Sequence, residues 1–488
     1  MSLPDGWVAV PLDELTSKIG SGATPRGGRE AYGGGEIPLI RSMNVHFAGF
    51  DPEGLAFLSQ AQADGLANVV VEESDVLLNI TGASIGRVCL APPSMAGARV
   101  NQHVCIIRLR EVLARYVQSY LASPSMQQFI LSENYGLTRQ ALTKGMIETI
   151  GVPLPPLPEQ RRIVAKLDAL TAHLARARAE LDRVPVLAEH LRQSSVVAAF
   201  KGELSAAWRN ENADVAKTSP VDLDAAYEAV AGQKRRKAAA AIDWQPDVKL
   251  PPHWRWVSVD EVLGVVQYGS SAKTSDASDG VPVLRMGNIQ RGELDWGNLK
   301  YLPAEHAEFP NLFLEPGDVL FNRTNSFELV GKSAVFRGHE APASYASYLI
   351  RLRCSGILPG LLVFYLNSPF GRAWVGQVAS QQVGQANVNG TKLKGLGIPL
   401  PPEDEQQEMV RILTDAFARA DRMEAEAARA RALIDRLEAA LLAKAFRGEL
   451  VPQDPADEPA SALLARLRTQ RAAAPKAKRG RRPKEAAA

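Results

Sequence analysis

Residues 152–204 read VPLPPLPEQRRIVAKLDALTAHLARARAELDRVPVLAEHLRQSSVVAAFKGEL, and residues 398–450 read IPLPPEDEQQEMVRILTDAFARADRMEAEAARARALIDRLEAALLAKAFRGEL. The two stretches align without a gap: Pro153 falls on Pro399, Gln160 on Gln406, Phe200 on Phe446 and Leu204 on Leu450. Each opens on a proline run, which favours extended backbone and blocks helix before it, and Pro158 suits a first helical position. In the first copy Ile163, Leu167, Leu170, Leu174, Ala177, Leu181, Val184, Ala188 and Leu191 step alternately by four and three, the signature of a coiled-coil seam. Met409, Leu413, Ala416, Ala420, Met423, Ala427, Ala430, Ile434, Leu437 and Leu441 keep the same phase in the second. A helix over residues 159–200 would span roughly 63 Å at about 1.5 Å per residue. A lone helix cannot bury such a seam, so each copy predicts the other as its partner. Alanines in the second seam permit close approach, and Gly202 and Gly448 mark both helix ends. Pro185 should kink the first helix or remove one of its hydrogen bonds.

The repeat extends beyond the helices. Leu3-Pro4 and Trp7 return as Leu250-Pro251 and Trp254, and Asp13-Glu14 as Asp260-Glu261. Ile37-Pro38-Leu39-Ile40-Arg41 with Asn44 returns as Val281-Pro282-Val283-Leu284-Arg285 with Asn288. Asp75-Val76-Leu77, Asn79 and Thr81 return as Asp318-Val319-Leu320, Asn322 and Thr324, and Tyr120-Leu121 with Ser123-Pro124 as Tyr365-Leu366 with Ser368-Pro369. The chain therefore divides into a mixed, mostly β domain (1–151), a long helix (152–204), a linker (205–247), a second such domain (248–397), a second long helix (398–450) and a tail (451–488). Strands are expected at 37–40, 69–71, 76–80 and 104–109, and short helices near 113–122, 223–236 and 460–471. Between the shared segments the loops differ completely, and diverging loops on a retained scaffold are where recognition usually lives.

A chain of 488 residues needs several cores. No apolar run reaches the roughly 20 residues a membrane span requires. Cys89, Cys105 and Cys354 are isolated, which suits a reducing cytoplasm. The net charge of +2 hides a basic, alanine-rich tail from Pro475, PKAKRGRRPKEAAA, expected to be disordered.

Motifs for chemistry are missing. Gly331-Lys332-Ser333 ends like a phosphate-binding loop, but the glycine such a loop needs at 326 is Ser326. Asn367-Ser368-Pro369-Phe370 is similar to the Asn-Pro-Pro-Tyr/Phe motif of amino-methyltransferases, yet it lacks the first proline, and its repeat mate begins at Ala122 and ends at Ser125. The histidines form no HxxxH or HExxH pair, His173 reads as solvated, and no Gly-x-Ser-x-Gly elbow occurs.

With these motifs the chain resembles the specificity subunit of Type I restriction-modification systems over nearly its full length. The strongest elements are Pro153-Leu154-Pro155-Pro156 with Glu159-Gln160, Ala199-Phe200-Lys201-Gly202-Glu203-Leu204, and their second copies. Ser21-Gly22-Ala23-Thr24-Pro25, Thr81-Gly82, Ser84-Ile85-Gly86, Asn101-Gln102 and the run from Gly317 to Ser326 with Leu329-Val330-Gly331-Lys332 look like family framework. The second domain lacks the Ser-Gly-x-Thr-Pro form and an Asn-Gln counterpart. The resemblance implies an α+β chain in which two target recognition domains are separated by two long antiparallel helices forming a coiled coil, with an internal pseudo-two-fold repeat. It implies a non-catalytic DNA-binding subunit that recognises a bipartite asymmetric site in double-stranded DNA. It also implies docking of two copies of an adenine-methylating modification subunit and, through them, of restriction subunits that translocate and cut. No cofactor is expected in this chain, and S-adenosylmethionine, ATP and Mg are expected on the partners. Helix length should set the gap between half-sites. A coiled-coil scaffold without DNA specificity and a self-contained methyltransferase remain the competing readings.

The residues that would touch DNA follow from residue chemistry. Arg can bridge guanine and Asn can pair with adenine, so the repeated Arg41 with Asn44 and Arg285 with Asn288 either face a groove or brace each domain. Asn79, Ser84 and Arg139 in the first domain, and Arg323, Asn325, Gln381 and Gln382 in the second, are candidates for base discrimination. Lys144 and Lys392 are candidates for phosphate contact.

Overall fold

The computed structural model describes residues 3–24, 34–132, 141–214, 221–382 and 385–473; the basic tail from Pro475 lies outside them. The proline runs lead into two helices, Leu157–Phe200 and Glu403–Phe446. The chain divides into two compact units, one of residues 1–181 with 428–488, the other of residues 182–427.

In the first unit Ile163 and Leu167 share a core with Trp7, Leu12, Tyr116, Ala445 and Phe446. The Phe446 ring meets Tyr116 and Tyr120 edge-on at 5.4 and 5.1 Å. Further along, Arg178 reaches Asp435 and Glu438. Partner numbers fall as the first helix rises, so the two helices run antiparallel. The second unit repeats this with roles exchanged: Val196 and Phe200 share a core with Met409 and Leu413, Phe200 meets Tyr365 edge-on at 4.9 Å, and Arg192 reaches Asp421 and Glu424.

The seam departs from the strict alternation of four and three. Ala177, Met423 and Leu437 face solvent, while Arg178, Glu424 and Glu438 are half-buried. A straight helix drifts about 20° per heptad from a 3.5-residue repeat, which turns those apolar positions off the contact line and their charged neighbours onto it. The first helix also runs through Pro185, which supplies no N–H but leaves the helix unbroken.

Each domain is built on a four-stranded antiparallel sheet of one topology. In the first the order is Thr16–Ser21, Val104–Leu109, Val76–Asn79, Val88–Leu90; in the second it is Leu263–Tyr268, Leu349–Cys354, Val319–Asn322, Ser333–Val335. The third strand of each sheet, Val76–Asn79 and Val319–Asn322, is buried at every position because both its faces are covered. Val76 and Leu78 enter the helix-side core, whereas Leu77 enters a second core with Leu39, Cys89 and Ile106. Val319 and Phe321 are divided from Leu320 in the same way.

The expected strand at 69–71 is absent. Ala67–Val69 is a single 3-10 turn and Val70 makes one bridge to Arg99, so Val69 and Val71 are buried from a loop. The short helices run Ala114–Leu121, Leu223–Ala231 and Ala460–Ala473. The middle one ends before its expected limit because Gly232, at φ +68°, caps it.

The repeated motifs are joints. Trp7 donates its indole N–H to Glu159 at 3.0 Å, and Trp254 donates to Glu405 at 2.8 Å. Gln160 Oε1 accepts from Leu113 N at 3.1 Å, and Gln406 Oε1 accepts from Leu358 N at 2.9 Å, capping the helix that follows each domain sheet. Gly202 and Gly448 turn out of the long helices at φ +74° and +73°. A Cβ there would lie 2.1 Å from Pro251 Cγ and 2.4 Å from Pro4 Cγ, so the Gly at each exit and the Leu-Pro at each domain start are one contact.

Candidate nucleic-acid interface

The domains diverge where the third strand of each sheet ends. Ile80 N donates to His103 O at 2.9 Å, and Arg323 N donates to Tyr348 O at 3.0 Å, so the exits are equivalent while the side chains differ. In the second domain Thr324–Asn325 then joins Gln385–Asn387 and Ser380–Gln382 in a three-stranded sheet. Asn325 and Gln381 both pair with Ala386, from opposite sides. The half-buried Arg323 lies 4.9 Å over the Tyr268 ring and donates to Asn387 Oδ1 at 3.4 Å. Its Nε is buried and has no acceptor among the described residues. Asn387 Nδ2 donates to Thr324 Oγ1 at 2.9 Å, and Asn325 Oδ1 accepts from Ser326 N at 2.8 Å. Four of the candidates of this domain, Arg323, Asn325, Gln381 and Gln382, thus gather on one small sheet and its approach. Arg323 and Asn325 offer a planar cation and a side-chain amide, groups that read base edges. Lys392 lies in the short helix Gly390–Lys394 and donates from Nζ to Val378 O at 2.6 Å.

Asn44 and Asn288 are corrected. Asn44 is buried, accepts from Arg41 N at 3.0 Å, and donates to Asp51 O at 2.9 Å and Glu53 O at 3.1 Å. Asn288 makes the same three bonds, with Arg285 N, Asp295 O and Gly297 O, at 2.9, 2.8 and 2.9 Å. Arg41 and Arg285 donate to Gly54 O and Asn298 O at 2.5 and 2.7 Å. These pairs brace a turn, and the Asn amides are spent inside it. Asn79 is also corrected: it is buried, donates to Ser42 O at 2.8 Å, and is matched by the equally buried Asn322, so it neither differs between the copies nor faces outward. Ser84 sits half-exposed in the turn Gly82–Ser84. Lys144 is exposed, 3.5 Å from Glu148. Arg139 lies outside the described residues.

The model of the Type I restriction modification DNA specificity domain matches residues 4–183 and again residues 252–429. The chain belongs to that family. Both matches end within two residues of where the compact units divide, so one family domain is a recognition domain with the first half of its helix. Among relatives, the Type I restriction enzyme EcoKI specificity subunit of Escherichia coli K12 is 26% identical over 96% of this chain and 97% of that protein. The EcoBI specificity subunit of Escherichia coli is 26% identical over 97% and 94%. The HsdS subunit from Thermoanaerobacter tengcongensis shares the fold, with a TM-score of 0.57 at 22% identity over 92% of this chain and 99% of that one. A chain from a structure of type I R-M complex assembly and conformational transition has a TM-score of 0.66 at 22% identity over 92% and 100%.

As a specificity subunit, the chain carries exit residues that motif comparison passes over. Tyr268 occupies the strand end that Ser21 holds in the first domain, as the pairing of Tyr268 with Ile350 and of Ser21 with Cys105 shows. His103 Nδ1 meets Thr81 Oγ1 at 2.5 Å, and Tyr348 stands exposed in the equivalent place. These residues differ between the copies, so a search for shared motifs skips them. Burial pushes the Cys89 and Cys105 thiols up to about 11 and 12, and raises Cys354 as well, so all three remain protonated. Among the described residues no group of three or more His, Cys, Asp and Glu is placed to hold a metal ion, and no helix is long and apolar enough to cross a membrane.

Proposed function

We propose that this DNA-recognition subunit reads a bipartite asymmetric site in double-stranded DNA, one half-site by each domain, and transfers that information to its partners without catalysing a reaction. It docks two copies of an adenine-methylating modification subunit, one to each repeat, and restriction subunits through them. S-adenosylmethionine, ATP and Mg then belong to the partners, and the complex works in the cytoplasm. The observation that carries this reading is the pair of equivalent strand exits: one framework holds Ser21 and His103 beside a buried Ile80 in one domain, and Tyr268 and Tyr348 beside the half-buried Arg323 in the other. Two different readers on one repeated frame suit an unlike pair of half-sites, and the internal repeat offers two like surfaces to two like partners.

The test is DNA protection by the pure chain, with and without a methyltransferase partner, over a library of random sites. Protection of one split, asymmetric sequence, with methyl transfer only when the partner is present, is expected. Binding without sequence preference would leave a coiled-coil scaffold, and methyl transfer by the chain alone would overturn the division of labour.

A further inference from the structure

The half-buried charges on the helix seam are distributed by helix. Arg178 and Arg192 stand on the first helix, and the repeat places them on Glu424 and Glu438 of the second. In the first unit Arg178 Nη2 lies 2.5 Å from Glu438 Oε2 and 2.7 Å from Asp435 Oδ1. In the second, Arg192 Nη1 lies 3.0 Å from Glu424 Oε1 and Arg192 Nη2 lies 2.5 Å from Asp421 Oδ1. Arg192 is 8% exposed and Glu424 20%, so the solvent that silences most surface ion pairs is largely absent. Each pair is the pseudo-symmetric mate of the other with its charges exchanged.

We infer that this exchange is a pairing code: each helix is built to accept the other copy of the same chain and to reject a second copy of itself. If two first helices paired in the observed register, Arg178 would face Arg192 twice, with Glu189 in the place of Asp435 as partial relief and Ala175 in the place of Asp421. If two second helices paired, Glu424 would face Glu438 and Asp435, and Glu438 would face Asp421, an all-acidic contact. Like charges at a partly desolvated seam repel, and such repulsion is how coiled coils exclude wrong partners. The apolar seam shares Leu167 with Leu413 but sets Leu174 against Ala420 and Leu181 against Ala427 in the repeat, so side-chain size acts beside charge and the charged positions supply the repulsive part. The excluded partner is therefore a half-subunit dimer, which would carry two identical recognition domains in place of two different ones.

Charge variants of the intact chain recreate each rejected pairing. E424R/E438R gives the second helix the charges of the first, and R178E/R192E gives the first helix the charges of the second. Each should lower the thermal midpoint at low salt by roughly 2–4 °C, R178E/R192E more than E424R/E438R because Asp421 and Asp435 then add to the repulsion. The loss should shrink in 1 M NaCl. The fourfold exchange R178E/R192E/E424R/E438R should recover most of the midpoint. If a twofold variant fails to fold, recovery of soluble protein in the fourfold exchange supports the code equally. A fourfold exchange no better than the twofold variants, or twofold variants that match the parent, would overturn it.

Discussion

Trp7 donates to Glu159 at 3.0 Å, and Glu159 Oε1, buried beside that bond, has no partner among the described residues. The repeat mate of this pair is better served: Glu405 accepts from Trp254 at 2.8 Å, Ser205 at 2.7 Å and Arg209 at 2.9 Å. Burial without enough donors raises the Glu159 carboxyl above its ordinary value of 4.5, the Trp7 bond and Arg162 opposing it. A joint repeated in sequence is thus satisfied in one unit and strained in the other.

The two joints should respond oppositely to one substitution. The folded chain holds the Glu159 proton more tightly than the unfolded chain, so that contribution is present below pH 4.5 and lost as pH rises through the raised value. Glu159→Gln, which keeps an acceptor for Trp7, should leave stability at pH 7 unchanged or higher. Glu405→Gln should cost about 1–3 kcal/mol by depriving Arg209 of its charged partner. Thermal unfolding of both variants at pH 4 and pH 7 measures the difference, and equal losses at pH 7 would contradict it.

Bracing and reading separate at Asn288 and Arg323. Asn288→Ala removes three internal bonds from a buried turn, and we expect about 1–3 kcal/mol of stability lost with the recognised sequence unchanged. Arg323→Ala should leave the thermal midpoint within about 2 °C and relax specificity at one position of one half-site, at about 1–3 kcal/mol. Competition binding with cognate and random DNA checks this: equal losses on both would remove Arg323 from the reading set. Lys392→Ala is expected to weaken every sequence alike and flatten the salt dependence.

Exchanging residues 1–151 for those of a relative should change one half-site and leave the other intact. Site selection from a random library reads this directly. A change in both halves would show that the domains do not read independently.

Helix length should set the spacing of the half-sites. Four residues inserted after Pro185 and after Arg431 fall between Arg178 and Arg192 and between Glu424 and Glu438, so neither set of ion pairs is cut. They lengthen each helix by about 6 Å, and the gap should grow by about two base pairs at roughly 3.4 Å each. An unchanged gap in a complex that still methylates would refute the spacer role.

Repeat comparison exposes what the two copies share, and the frame is what they share. The long helices, their pairing with each other and the domain order follow from Pro153, Phe200 and their mates because those residues answer one packing problem twice, while the antiparallel sense is implied by the family resemblance. The roles of Glu159 and Gln160 were hidden, since their partners Trp7 and Leu113 lie far off in sequence or are reached through backbone. Asn44 misled because a buried Asn bracing a turn and an exposed Asn reading a base look alike without the fold. Tyr268 and Asn387 are illegible for the opposite reason: they stand where the first domain has Ser21 and Ala141, so no shared motif marks them. The phase of the charged seam escaped because 3.5 and 3.6 residues per turn agree over one heptad and part over the length of a long helix.

The second unit is one unbroken segment, residues 182–427, set into a first unit that is completed only by residues 428–473. A ribosome making this chain at about 5–20 residues per second needs roughly 12–50 s between finishing Leu181 and reaching Ala428. During that interval Ile163, Leu167 and Tyr116 have been made, but Ala445, Phe446, Leu463 and Leu467, which close their core, have not. The first domain to leave the ribosome is the last to be finished. A chain released with its end before Phe446 should therefore hold its second unit folded and its first unit open to protease.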